Sequence, residues 1–224
     1  MPQSGLIEQS GSRVERKRAR NREALVGAAR RLFAAGGFDA TTIADIAEAA
    51  DLGFGTFYRY FEDKEAILQA VLDEGRVEID AVLVADPASL TATEALTQLS
   101  ARFVRAVRRN HDVLVLMWQL VMREGPRGRA GAALRDPEQA LPLRLANAMS
   151  RLIQRGIDAG EFPAGDADLL ARLLSNAHMY LFWPSAQEMD EASLIKTLCD
   201  FELRALGAPA ADERQAAQAG GNSR

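Results

Sequence analysis

Cysteine is almost absent from this chain of 224 residues: the lone Cys199 excludes an internal disulfide and any multi-cysteine metal site. It falls on an apolar helical pattern, which fits a buried structural thiol better than a redox sensor. Histidine is nearly as scarce. His111 and His178 stand far apart, and no H-E-x-x-H, G-x-S-x-G or glycine-rich phosphate loop occurs, so no metal site, cofactor motif or catalytic machinery is legible. No apolar run reaches about 18 residues without a charge, and no signal-peptide core precedes the first charges, so a cytoplasmic protein without membrane association is expected. No segment of about 20 to 50 residues recurs, which removes a helical solenoid.

What is present is a globular composition, 48% hydrophobic and 26% charged, long enough for a well-buried core. The net charge of -4 argues against a wholly basic surface, so contact with nucleic acid needs a local basic patch. One exists near the N-terminus. Arg13, Arg16, Lys17, Arg18, Arg20, Arg22, Arg30 and Arg31 stand against Glu15 and Glu23, eight cations against two carboxylates, a local charge of +6. This arm is either a solvated flank or a phosphate or minor-groove contact that orders on DNA.

The most informative stretch is Thr41 to Lys64, TTIADIAEAADLGFGTFYRYFEDK. Ile43, Ile46, Ala47 and Ala50 follow the spacing of one buried helical stripe, and Thr41 or Thr42 supplies an N-cap hydroxyl. Asp51-Leu52-Gly53 breaks the pattern, with Gly53 expected as the flexible residue of the turn. A second helix of about two turns follows, with Phe57 and Phe61 on one face, Gly55, Thr56 and Arg59 on the other, and Tyr58 and Tyr60 to either side. An apolar back, a small or polar front and hydroxyl-bearing flanks suit a helix that enters a major groove.

The pattern T-T-x-x-D-I-A-x-x-A-x-(L/V)-x-x-G-T-(L/F)-Y-x-Y-F-x-x-K-E-x-(L/I)-L, extended upstream by AARRLFAAGGFDATT, resembles the DNA-binding signature of the tetracycline-repressor (TetR) family. The resemblance implies an all-α fold, with an N-terminal three-helix helix-turn-helix domain and a larger C-terminal helical domain for ligand binding and dimerisation. It implies a dimeric regulator, mostly a repressor in that family, that binds a double-stranded DNA operator and releases it when a small, mostly apolar effector binds. An activator of the same family shares the signature, and a helical protein-interaction module is the reading from another class. An enzyme is disfavoured by the missing motifs.

The expected organisation is a disordered segment at residues 1–12, the helix-turn-helix domain with its basic arm at 13–63, the effector and dimerisation domain at 64–207, and a disordered tail at 208–224. The first helix is expected from Asn21 to Ala35, ended by Gly36-Gly37. A long helix from Lys64 carries Gly75 in its middle, which serves either as a hinge or as a close-packing point. Loops are expected at Asp86-Pro87 and after Gly125, and helices over about Thr91–Arg109, Asp112–Arg123, Leu141–Ala159, Asp166–Trp183 and Asp190–Leu206. Pro142 either opens its helix properly or kinks the first turn.

Carried onto matching positions, the resemblance implies phosphate contacts from Thr42, Tyr58, Tyr60 and Lys64, and approach to bases by Gly53, Phe54, Gly55, Thr56 and Arg59. The Arg59 guanidinium is the specific reader, because its fork matches guanine O6 and N7. Gly53 departs from the usual serine or threonine, and Phe54 from the usual polar reader; Phe54 either meets a thymine methyl or, the favoured reading, folds back on the domain. By analogy the effector pocket draws on Phe103, Met117, Trp118, Val121, Met149, His178, Tyr180 and Trp183, each of which also fits plain core. The implied dimer interface is formed by the last two helices through Leu170, Leu174, Leu194, Leu198 and Phe201.

Overall fold

Alanine, leucine, arginine, lysine and glutamate favour helix, and α1 carries them without an internal proline from Ser4 to Gly36. The computed structural model describes residues 4–85, 89–124 and 140–208, without the side chains of 4–12, Trp118, 121–124 and Pro184. The loops expected at Asp86-Pro87 and after Gly125, and the tail from Pro209, lie outside the described residues. Described elements are helical: α1 (Ser4–Gly36), α2 (Ile43–Ala49), α3 (Phe54–Phe57), α4 (Lys64–Val84), α5 (Ala92–Arg109), α6 (His111–Glu124), α7 (Leu141–Asp158), α8 (Ala167–Ala177), α9 (Pro184–Glu188) and α10 (Glu191–Ala205). None of them is long and apolar enough to cross a membrane.

α1 corrects the expected start at Asn21, since the helix already runs at Ser4; of the segment expected to be disordered, residues 4–12 are helical and residues 1–3 lie outside the described residues. Periodicity marks only where an apolar stripe begins, at Leu25, whereas the basic run before it contains good helix formers and simply continues the helix. The far end is as expected in kind: Gly37 takes φ 80° and donates to Phe33 O at 2.9 Å.

The chain forms two compact units, Met1–Arg76 with Asp112–Ala130 and Val77–His111 with Gly131–Arg224. The division falls after Arg76 rather than at residue 63, because the first half of α4 belongs to the first unit's core. That core joins Leu25, Ala29 and Phe33 of α1, Ile46 of α2, Phe57 of α3, Ile67, Leu68 and Val71 of α4, and Val113, Leu116 and Leu120 of α6. Arg30 grips Asp112 with two hydrogen bonds of 2.7 and 2.6 Å. Burial pushes the Asp112 carboxyl up, but the Arg30 guanidinium and the backbone amides of Asp112 and Val113 together outweigh it and hold the group below its ordinary range. A Cβ on Gly75 would come within 2.9 Å of Val113 Cγ1, so Gly75 serves close packing of α4 on α6.

In the second unit, Thr91 caps α5 by accepting from Glu94 N at 3.2 Å, and Glu161 adds bonds from Ala92 N and Thr93 N at 2.8 and 2.9 Å. The buried face of α5 (Leu96, Leu99, Phe103, Val107) belongs to the same unit as that of α7 (Leu145, Met149, Leu152, Ile153). Pro142 opens α7 in its first turn, and Gly160 ends it with φ 73°. The helix expected over Asp166–Trp183 is interrupted: α8 stops at Ala177, a 3-10 turn covers His178–Phe182, and Pro184 begins α9 instead of ending a helix.

Candidate nucleic-acid interface

Thr42 settles the choice of cap for α2. Its hydroxyl accepts from Asp45 N at 3.1 Å, while the Asp45 carboxylate takes Thr42 N at 2.8 Å, the reciprocal capping box. Hydrogen bonds from Thr42 hold the exposed Asp45 carboxyl below its usual pKa. Thr41 is buried and donates to Gly37 O at 2.9 Å.

The turn after α2 is closed by a different residue from the one expected. Asp51 takes φ 54°, Asp51 N donates to Glu48 O at 2.9 Å, and Leu52 N reaches Ala47 O at 2.9 Å. These two bonds make a Schellman stop with Asp51 at its left-handed position, a place that aspartate tolerates better than most non-glycine residues. Gly53, with φ -65° and ψ 144°, is instead the N-cap of α3 and contributes no side-chain bond, as its departure from serine or threonine implied.

α3 is one turn, Phe54–Phe57, and its continuation through Tyr60 is a hydrogen-bonded turn, shorter than the two helical turns expected. Phe57 is fully buried and Phe61 nearly so, with ring centroids 5.8 Å apart, which fixes the back of the element. Gly53, Phe54, Gly55, Tyr58 and Arg59 are exposed on its other sides, Thr56 is half-buried, and Tyr60 packs partly against the core. Phe54 does not fold back on the domain. It remains 54% exposed and meets Tyr58 edge to face at 5.4 Å, because Phe57 already occupies the inward position of this turn. The Arg59 side chain makes no hydrogen bond or ion pair to another described residue, so its guanidinium is available to a ligand.

Lys64 is less available than expected. Its ammonium donates to Phe38 O at 2.9 Å and Thr41 O at 2.8 Å, approaches Asp39 O at 3.5 Å and lies 4.4 Å from the Phe38 ring centre. Two full hydrogen bonds and one long one account for its three N–H groups. Arg22, on α1, lies 5.4 Å over the Phe61 ring, which puts this part of α1 beside the end of the Arg59–Tyr60 turn.

The residues expected to form one pocket are dispersed. Phe103, Met149 and His178 are fully buried in the second unit, whereas Met117 packs against the first unit's core. The side chains of Trp118 and Val121 lie outside the described residues. Tyr180 and Trp183 are 43% and 65% exposed, because the chain leaves the α-helical path at His178 and carries both outward. Around His178, Ser100 and Glu202 form a polar cluster that sequence reasoning missed, although Glu202 standing within the stripe of Leu194, Leu198, Cys199 and Leu203 was a signal for it. Ser100 Oγ donates to Glu202 Oε2 at 2.7 Å, and His178 Nδ1 donates to Leu174 O at 3.3 Å, which leaves Nε2 as an acceptor in the neutral ring. Glu202 Oε1 lies 3.2 Å from Nε2, and neither atom has another hydrogen-bond partner among the described residues. Burial pushes the Glu202 carboxyl up to about 8 and the His178 ring down to about 4, so both are neutral near pH 7.

The expected interface leucines are also redistributed. Leu174, Leu194 and Leu198 are buried inside the protomer and Leu170 is half-buried, while Leu169, Leu173 and Phe201 are exposed. The apolar stripes of α8 and α10 are wide enough to serve two faces, and the inner one takes Leu174, Leu194 and Leu198.

Residues 25–71 match the family model described as bacterial regulatory proteins, tetR family. The chain is 33% identical over 103 residues to the HTH-type transcriptional repressor KstR of Mycolicibacterium smegmatis, covering 45% of this chain and 48% of that protein. It is 22% identical over 159 residues to the transposon Tn10 TetC protein of Escherichia coli, covering 71% and 77% respectively. A bacterial regulatory protein in the tetR family from Rhodococcus RHA1 shares the fold with TM-score 0.67 at 22% identity, over 85% of this chain and 98% of that one. With the Thr42-capped helix, the Asp51 turn and the exposed front of α3 inside the matched segment, the chain is a TetR-family transcriptional regulator.

Proposed function

We propose that the chain is a repressor that binds a palindromic duplex operator as a homodimer and releases it when a small, largely apolar effector binds. The carrying observation is the front of α3, where Gly53, Phe54, Gly55 and Arg59 are exposed together and the Arg59 guanidinium has no partner among the described residues. In this reading Arg59 forms a bidentate pair with guanine, Thr56 and Phe54 meet neighbouring bases, and Thr42, Tyr58 and Tyr60 hold phosphates. Lys64 supports the surface from behind. Repression is the reading supported by the printed name of the KstR relative.

A protomer covers one half-site, so two copies are needed for a palindrome. The exposed stripe Leu169, Leu173, Tyr180 and Trp183, with Phe201 on α10, is the apolar surface that supports pairing of two copies. Ser100, His178 and Glu202 are the polar anchors an effector would meet in the apolar interior around Phe103. Release follows only if the effector favours a conformer in which the two α3 elements are wrongly spaced.

Selection of bound duplexes from a random pool, repeated with a metabolite panel, tests the whole reading. Expected is an enriched two-fold symmetric sequence whose recovery drops with one class of apolar metabolite. Arg59→Ala should cost about 1 to 3 kcal/mol on that sequence while sparing binding to random duplex. A pool without enrichment, or enrichment without two-fold symmetry, rejects it.

A further inference from the structure

We propose that the N-terminal half of α1, from Arg13 to Arg22, is a stiff cationic rail that grips the phosphate backbone of duplex DNA outside the base pairs met by α3. The inference rests on the DNA-binding reading above and extends it to a segment that precedes the family-matched residues 25–71.

Charge motivates it. Between Thr41 and Lys64, Arg59 and Lys64 stand against Asp45, Glu48, Asp51, Glu62 and Asp63, two cations against five carboxylates, a net charge of -3. Lys64 is already engaged with backbone carbonyls. The reading module therefore repels a polyanion except at Arg59, and attraction to phosphate has to come from elsewhere in the same unit. The stretch from Arg13 to Arg22, six cations against Glu15, supplies a charge of +5.

Geometry then decides between the two modes left open for this arm. Residues 13–20 are helical and all exposed. Arg13, Arg16, Lys17 and Arg20 fall at helical spacing on one side, with Arg18 and Arg22 on another, so the rail is cationic on more than one face. A helix about 10 to 12 Å across does not enter a minor groove about 6 Å wide, which removes minor-groove insertion and leaves the phosphates. The arm has no apolar face, since Val14 and Ala19 are isolated among charges, and this removes a membrane surface as the occupant. The Arg22 guanidinium over Phe61 roots the rail beside Arg59 and Tyr60. From Arg22 to Arg13 the helix advances by about 13 Å, roughly four base pairs of duplex.

The test compares two duplexes carrying the selected sequence, one ending at the site and one extended by about ten base pairs on each side. Arg13, Lys17, Arg18 and Arg20 are changed together to Gln, which spares Arg22 and its ring contact. On the extended duplex the slope of log affinity against log salt should fall by about 0.9 for each phosphate lost, up to roughly seven for two arms. On the trimmed duplex it should barely change. Ala19→Pro keeps every charge but breaks the helix, and it should lose most of the same advantage. Equal losses on both duplexes, no loss on either, or an Ala19→Pro protein that binds like wild type each overturn the rail. Wild-type protein with no salt-dependent duplex binding overturns the DNA-binding reading itself, whereas loss of base preference in Arg59→Ala with an unchanged arm variant overturns the rail alone.

Discussion

The turn between α2 and α3 and the junction of α5, the His178 turn and α10 treat polar groups in opposite ways. At the turn, Thr42, Asp45, Glu48 and Leu52 close their hydrogen bonds within a few residues, and the outward side chains are left for a partner. At the junction, Ser100, His178 and Glu202 come together from distant parts of the chain, and Glu202 Oε1 and His178 Nε2 have no neighbour to pair with but each other. Local closure makes a rigid, pre-set surface. A contact assembled from distant segments costs about 1 to 3 kcal/mol for each buried polar group that is left unsatisfied when the packing opens.

The comparison breaks first at Lys64, whose long-range contacts hold the loop that leads into α2. Lys64→Met should lower stability by about 2 to 3 kcal/mol in chemical denaturation, because two charge-assisted bonds are lost, with little change in the salt slope of DNA binding. An unchanged stability with a shallower slope would return Lys64 to a phosphate role.

The next effect is on pH. Glu202 has its folded pKa raised from 4.5 to about 8, so its contribution is present below 4.5 and is lost as pH rises to about 8. His178 has its folded pKa lowered from 6.5 to about 4, so its contribution is present above 6.5 and is lost as pH falls through about 4. The two slopes oppose between 4.5 and 6.5, and stability should fall by about 2 kcal/mol from pH 6.5 to 8. Glu202→Gln should remove that alkaline fall and expose the histidine slope below 6.5. Denaturation curves at several pH values that are parallel for both proteins would contradict the coupling.

Smaller effects sharpen the local side. Asp51→Val places a β-branched residue at φ 54° and should cost about 1 to 2 kcal/mol, whereas Asp51→Gly should be tolerated in stability. Gly53→Ser meets only an ordinary contact with Thr56 Oγ1 at 3.8 Å. It should add a few tenths of a kcal/mol by capping α3, visible as a small rise in melting temperature.

The same contrast explains what was legible before the structure. The helix-turn-helix stretch, the buried Phe57 and Phe61 and the exposed Arg59 were readable because they depend on spacing within a few turns. The flexible residue of the turn was expected at Gly53, whereas the left-handed one is Asp51, because its position depends on which amide makes the last bond of α2, a choice that spacing does not fix. The start of α1 was missed because a charged helix without an apolar stripe leaves no periodic mark. Leu174, Leu194 and Leu198 were assigned outward because a wide stripe does not say which edge meets its own chain. Ser100 and Glu202 stand 102 positions apart, and their meeting depends on how α5 and α10 pack.

The Lys64 clamp has a mechanical consequence. The first residue of α4 is tied to the carbonyls of Phe38 and Thr41, and Thr41 is joined directly to the cap of α2. Any displacement of the first turn of α4 therefore pulls on the start of α2 through a short linkage of backbone and one side chain, so the reading element has a lever built into its own unit.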